Sequence, residues 1–254
     1  MDTSGSSLIL PAKEIRLDPC SKDTTMLGDL LSKGVRIGNE ANEPYLNGLI
    51  EKPWGYEYSA YVDDFLDIWH LQIMPGCSTS LHAHPRKTTY LICLSGTGFS
   101  RSTREDIPVS PGTILRIGRG AFHATGADEG SEPLMLLEIE TPRNKFDLVR
   151  MADNYDRAGK SYEPDGKPLP HGRKSLSSPP NASISTISPC ETFRFAVHTG
   201  MELFYRPNSV GRAAIKLNID GVISDDISIL TPETITTDKI DTAAQYLCVD
   251  SIAN

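Results

Sequence analysis

The stretch "SLHAHPRKTTYLICLSGTG", residues 80–98, decides the fold. It sets His82 and His84 one residue apart, ahead of a β-rich run that closes on Ser-Gly-Thr-Gly. Alternate residues of a strand face one side, so the two imidazoles address the same space. Gly76 stands six positions before His82, and "GTILRIGRGAFH", 112–123, carries a similar order: a glycine, a short strand, a glycine turn and a third histidine, His123. Two barrel strands that each aim imidazole inward make a three-nitrogen site suited to Fe, Mn, Zn, Ni or Cu. A lone histidine reads as a satisfied core residue, whereas three at matching glycine offsets read as a site.

Around this segment, from Pro53 to Thr141, short β-rich runs alternate with Gly, Pro, Asp and Ser: "YEYSAYV", "FLDIWHLQIM", "TTYLICLSG", "GTILRIG" and "PLMLLEIE". That is the pattern of a sandwich or small barrel. The organisation expected is a lead-in over 1–50, a barrel over 51–158, a linker or long loop over 159–185 and a small β-lobe over 186–254. Within the lead-in, "MLGDLLSKG", 26–34, has helical apolar spacing, with Gly34 as its C-terminal cap. "NKFDLVRMADNYDR", 144–157, reads as a short helix or a turn capped by Asn144. The segment 159–185 is rich in Pro, Gly, Ser and Lys and holds a solvated His171. No period of 20–50 residues marks a repeat architecture.

Composition bounds the function. At 254 residues, 39% hydrophobic and 23% charged, the chain can bury a proper core. A net charge of −8 argues against nucleic acid or an acidic membrane as partner, since both reward clustered Lys and Arg. Five cysteines are scattered with no CxxC pair, as expected for reduced thiols and for neither a zinc knuckle nor a disulfide framework. The N-terminal apolar run "LILP" is too short for a signal peptide and lacks its basic lead. No run reaches the ~18–20 apolar residues of a membrane span. A cytoplasmic location is the expectation.

The two histidine segments resemble the two cupin motifs, Gly-x5-His-x-His-x4-Glu-x6-Gly and Gly-x5-Pro-x-Gly-x2-His. The match holds at Gly76, His82, His84, Gly96, Gly112, Gly120 and His123, and departs at Thr89, where Glu belongs, and at Gly118, where Pro is usual. Within the cupins, the chain resembles the sugar-phosphate-isomerase domain of the bifunctional mannose-6-phosphate isomerase/mannose-1-phosphate guanylyltransferases. The likeness is carried by "KPWGYE" (52–57), "SLHAHPRKTTYLICLSGT", "PLMLLEIE" and "LVRMADNYDR", and it covers about 52–157. The Gly-rich nucleotide loop of that family's other half is not in this sequence. The resemblance implies an all-β cupin fold, a double-stranded β-helix or jelly-roll barrel, with 186–254 as a smaller degenerate lobe. A homodimer through such strands is compatible with it.

The family's metal ligands fall at His82, His84, Thr89 and His123, with Gln usual at the first. The resemblance thus implies a divalent metal (Zn, Mn, Fe or Ni) on three neutral nitrogens, with no carboxylate. Lys87 lines up with an arginine the family uses for isomerisation. Arg86 beside it and Arg157 are candidates to bind a phosphorylated or carboxylated sugar; the flanking Arg116 and Arg119 read equally as solvated charges. His70 and Gln72 share one face of "DIWHLQIM". If that face lines the barrel, His70 is an acid/base candidate and Gln72 a substrate contact; otherwise both meet solvent. Three functions follow: a metal-dependent enzyme that rearranges a sugar or sugar phosphate for activated-sugar or surface-polysaccharide synthesis, a three-His iron dioxygenase, and a non-catalytic sugar-binding cupin.

Overall fold

The computed structural model describes residues 13–35, 37, 48–152, 167–168, 176–177, 185–217 and 226–252. The lead-in supplies β1 (Lys13–Leu17), α1 (Ser21–Ser32) and the start of β2 (Gly48–Lys52). The central part adds β3 (Gly55–Val62), β4 (Asp67–Ile73), β5 (Leu81–Ala83), β6 (Thr88–Ser95), β7 (Gly98–Ser102) and β8 (Asp106–Val109). It continues with β9 (Thr113–Ile117), β10 (His123–Ala127), β11 (Leu134–Thr141) and β12 (Val149–Ala152). Two short strands follow, β13 (Lys167–Pro168) and β14 (Leu176–Ser177). The C-terminal part holds β15 (Ser185–Ile187), β16 (Phe193–Thr199), α2 (Gly200–Tyr205), β17 (Ala213–Leu217), β18 (Ile229–Leu230) and β19 (Gln245–Ser251).

These strands make three sheets. The large one runs β1-β9-β6-β11-β4-β3-β2-β13, with β14 beside β3; a second runs β12-β5-β10-β7-β8; the third runs β15-β16-β19-β17-β18. The first two face each other as the walls of a cupin barrel. Trp69, Leu71, Ile73, Cys93, Leu134 and Leu136 of the large sheet pack on Val109 and Ala127 of the second. The lead-in is no separate piece, because β1 pairs in parallel with β9 along its whole length.

The third sheet stacks on the outer face of the large one. Phe193, Phe195, Val197, Ile215, Leu247 and Val249 share one core with Tyr58, Ile68, Tyr90, Ile92, Leu137 and Ile139. The lobe expected over 186–254 is therefore a single antiparallel sheet whose inner face covers the barrel. Sheet faces buried on both sides lose the polar/apolar alternation that marks a solvated sheet.

One local departure from expectation has a physical cause. The helix begins five residues before Met26, because the Asp23 carboxylate accepts from the Cys20 N–H at 2.8 Å and satisfies one orphan donor of the first turn. Of the two readings for the segment after Asn144, a short helix or a turn, the turn is found, and β12 follows it. The Asn144 side chain accepts from Phe146 N–H at 3.1 Å, and Val149–Ala152 pairs with β5. Gly118 also has an account. Its N–H donates to the Leu17 carbonyl at 2.9 Å, tying β1 to the turn before His123, and the proline usual there has no N–H to give.

Candidate metal centre

His82 and His123 are register partners on β5 and β10, and Arg150 of β12 is the next partner on the other side of His82. His84 closes the group from the turn after β5, where its carbonyl accepts from Gly120 N–H at 2.8 Å. Gly120 has φ +80°, a conformation that a side chain would strain. The ring centroids lie 4.4 Å apart for His82–His123, 4.8 Å for His82–His84 and 5.3 Å for His84–His123. One ligand atom from each ring falls within 4.8 Å of the others.

The donor set fits a divalent transition metal. Each Nδ1 faces a backbone carbonyl: His82 to Ser80 at 2.7 Å, His84 to Asp147 at 2.6 Å and His123 to Ala121 at 3.1 Å. A carbonyl only accepts, so each Nδ1 holds the proton and each Nε2 lone pair is left for a ligand. The Nε2 of His84 is buried without a hydrogen-bond partner. The rings are also held neutral, as metal binding requires. Burial, His123 and the Arg150 and Lys87 cations keep His82 well below the usual imidazole range. Burial and Lys87 do the same for His84, and burial takes His123 down to about 4.

Two aspartates position the ligands. Asp147 Oδ2 accepts from the N–H groups of Arg86 (2.7 Å) and Lys87 (3.0 Å), fixing the turn after His84. Asp23 accepts from Thr103 Oγ1 at 2.9 Å and from Phe122 N–H at 3.3 Å, fixing the residue before His123. Burial opposes ionisation of Asp23, and these bonds with Cys20 outweigh it, so its carboxyl sits below the usual range.

His82 and His84 open on a cleft that Lys52, Leu71, Glu138, Glu140, Lys145 and Arg150 also line. Beneath it runs a buried ion-pair chain. Lys52 pairs with Glu57 at 3.6 Å, Lys145 with Glu57 (3.6 Å), Glu138 (3.1 Å) and Glu140 (3.5 Å), and Lys87 with Glu140. The Lys145 ammonium also lies 4.2 Å from the Trp69 ring centroid. Burial opposes its charge, yet the surrounding carboxylates hold Lys145 well above the usual lysine range.

The sequence candidates thus divide. His82, His84 and His123 come together. Thr89 lies in the barrel wall, fully buried, with Glu140 as its register partner on β11. Lys87 is buried and reaches Glu140 and the Asn144 carbonyl, which places it behind the cleft and not at the barrel mouth. Arg86 is exposed, and Arg157 and His171 lie outside the described residues. Arg116 bonds Tyr90 and pairs with Asp18 and Asp226 on the outside.

His70 and Gln72 require correction. Their face of β4 turns away from the cleft; His70 is buried under the third sheet, and Gln72 is half-buried at its edge. The His70 ring is fully buried among Tyr56, Tyr58, Phe193 and Phe195, centroids 5.6–6.2 Å away, between the large and third sheets. Neither of its ring nitrogens has a hydrogen-bond partner. Gln72 donates to the Met74 sulfur at 3.4 Å on that same outer side.

Lys52, Glu57, Glu138, Glu140, Lys145 and Arg150 escaped the sequence reading. One signal was present: in "PLMLLEIE" the period of two puts Glu138 and Glu140 on the same face as Leu134 and Leu136, inside the barrel.

Residues 69–140 match the cupin domain family. A mannose-1-phosphate guanylyltransferase from Sinorhizobium fredii is 29% identical over 131 residues, which are 50% of this chain and 25% of that protein. The chain thus spans about a quarter of the length of the curated relative it matches. Among solved structures, a cupin-like protein from Thermotoga maritima aligns at 19% identity and TM-score 0.36, over 40% of this chain and 79% of the other. A sugar phosphate isomerase of the cupin superfamily from Silicibacter pomeroyi aligns at 19% identity and TM-score 0.29, over 32% and 52%.

Proposed function

We propose that this protein is a metal-dependent enzyme that isomerises a sugar or sugar phosphate, moving hydrogen between neighbouring carbons. The observation that carries the reading is the convergence of three neutral imidazoles, two of which, His82 and His84, line one cleft with buried carboxylates and cations. His82, His84 and His123 would hold the ion. When bound, a divalent metal polarises adjacent substrate oxygens and lowers the cost of removing a carbon-bound proton.

The chain's own groups supply the rest. Arg150 is buried beside His82, and its Nε donates to Ser80 Oγ at 3.1 Å, which fixes the guanidinium in the cleft wall as an anion contact. Glu138 and Glu140 are the carboxylates placed to take and return a proton. Leu71 and Trp54 give the cleft apolar surface that keeps water from the reacting carbons. The proton-transfer role assigned to His70 from sequence passes to this carboxylate pair. The 29% likeness to a mannose-1-phosphate guanylyltransferase supports a sugar-phosphate substrate and a setting in activated-sugar or surface-polysaccharide synthesis.

Elemental analysis of the purified protein beside a His82→Ala/His84→Ala variant tests the site, followed by aldose–ketose phosphate screening in deuterated solvent. About one metal per chain, lost in the variant, and solvent deuterium at the carbon next to the carbonyl are the expected results. Iron with oxygen uptake would favour the dioxygenase, a reading supported by the lack of a carboxylate among the three converging ligands. No metal after reconstitution would leave a sugar-binding cupin.

A further inference from the structure

Asp67, Glu140 and Thr89 form a row across β4, β11 and β6: Glu140 is the register partner of Asp67 on one side and of Thr89 on the other. Register partners on one sheet face have Cβ atoms about 4.5–5.5 Å apart. All three residues are at most 1% exposed. Among the described residues, each also has a buried side-chain oxygen with no hydrogen-bond partner: Asp67 Oδ1, Glu140 Oε2 and Thr89 Oγ1. Ionised carboxylates only accept, so two ionised neighbours leave both orphan oxygens unsatisfied. One proton turns the pair into a donor and an acceptor, and both orphans disappear.

The charge count agrees. The chain of ion pairs joins three lysines (Lys52, Lys87, Lys145) to three glutamates (Glu57, Glu138, Glu140). Those pairs match three cations to three carboxylates, and among the described residues Asp67 is a fourth carboxyl with no ion pair of its own. A buried carboxyl without a cation takes up a proton sooner than it keeps a charge. Burial and the Glu140 charge hold Asp67 well above the usual carboxylate range, against Lys145 and Lys87. Burial raises Glu140 too, but the same two lysines outweigh it and keep its carboxyl below that range. Glu140 holds the ion pairs to Lys87 and Lys145, and Asp67 has none among the described residues, which puts the proton on the aspartate and makes the glutamate the acceptor.

We propose that Asp67 and Glu140 are a carboxyl–carboxylate pair holding one proton between them in the barrel wall, with Glu140 the member that exchanges it with the cleft. The pairing rests on the fold alone, whereas the exchange rests on the isomerase reading. In that exchange the substrate C–H bond breaks, its electron pair stays on the substrate as an enediolate, Glu140 takes the proton, and the hydroxyl proton passes from one substrate oxygen to the other. The pair then returns one proton to the neighbouring carbon and ends, as it began, with one.

Infrared spectroscopy of the full-length protein at pH 7 in D2O tests the pairing without substrate. The expected result is the carbonyl stretch of an un-ionised carboxylic acid that shifts on 13C-aspartate labelling and is lost in Asp67→Asn. Glu140→Gln removes it as well, because the amide donates to Asp67 and lets it ionise. No acid carbonyl from aspartate, or one that survives both substitutions, overturns the pairing. The exchange is read from kcat: Glu140→Gln is expected to lower it about 10²-fold or more, with KM and metal content unchanged. Full turnover in that variant overturns the exchange and leaves the pairing standing. A wild type that turns over no sugar phosphate removes the exchange together with the isomerase reading, and the infrared band still decides the pairing.

Discussion

Replacing His70 by Phe should flatten the acid sensitivity of the protein. The ring is fully buried against four aromatic rings, and burial takes its pKa down to about 3. In the unfolded chain the same imidazole titrates near 6.5. The folded pKa lies below the unfolded one, so the contribution to stability is full above about 6.5 and declines as pH falls toward about 3. Between pH 7 and pH 5 the loss is about 2 kcal/mol. Urea unfolding of wild type and His70→Phe at both pH values gives the difference of differences. Packing changes brought by the phenyl ring are common to both pH values and cancel, while carboxylates titrate alike in both proteins. The wild type should lose about 2 kcal/mol more than the variant on going to pH 5. Equal losses would refute the claim that the ring is buried neutral between the sheets.

Other consequences of the structure are as direct. Nitrogen NMR of the metal-free protein at pH 6 should show His82, His84 and His123 neutral with the proton on Nδ1; a charged ring at that pH would contradict the burial that holds them neutral, and a neutral ring with its proton on Nε2 would contradict the carbonyl contacts. Asp147→Ala frees the backbone N–H groups of Arg86 and Lys87 and loosens the turn that holds His84. Metal affinity, measured by chelator competition, should fall about 10–100-fold. Lys145→Met leaves Glu57, Glu138 and Glu140 facing one another in the barrel, and a stability loss of about 3–5 kcal/mol is expected in urea. Gly118→Pro restores the residue usual in the motif yet removes the bond to the Leu17 carbonyl. It should cost about 1–3 kcal/mol, and a rise in melting temperature would show that the bond is dispensable.

The strands of the barrel were legible because Gly, Pro and Asp punctuate each apolar run, and the three histidines because the turns that aim them need glycine. Gly96 is an instance: it has φ +79°, and a Cβ there would meet the Pro133 carbonyl at 2.6 Å. His70 was misread because inference from a polar face needs one face in water, and the third sheet buries both faces of β4. No spacing rule announces a sheet from 186–254 lying on residues more than a hundred positions earlier. The start of α1 was missed because Cys20 is not a usual N-terminal cap, and the bond that begins the helix comes from Asp23. The charged cluster stayed hidden because its members come from β2, β3, β4, β11 and the turns at Lys87 and Lys145, and no spacing along the chain joins them.

That cluster changes the meaning of Thr89. Read along the chain, the residue is a ligand lost. Read across the sheet, its register partner is a buried carboxylate, and the next is another. The opposite wall carries a matching row, Arg150–His82–His123, across β12, β5 and β10. One wall therefore presents cation and nitrogen ligands, and the other presents acid groups held by lysines. Substitution of Thr89 by Glu separates the two readings. If the site lacks only a ligand, the new carboxylate should raise metal affinity and leave the fold intact. If the wall is already balanced, a further charge beside Glu140 lacks a cation; the variant should lose about 3–5 kcal/mol of stability at pH 7 and recover much of it as acid protonates the new group. Chelator competition and urea unfolding on the same preparation distinguish these outcomes, and the charge count of the barrel wall favours the second.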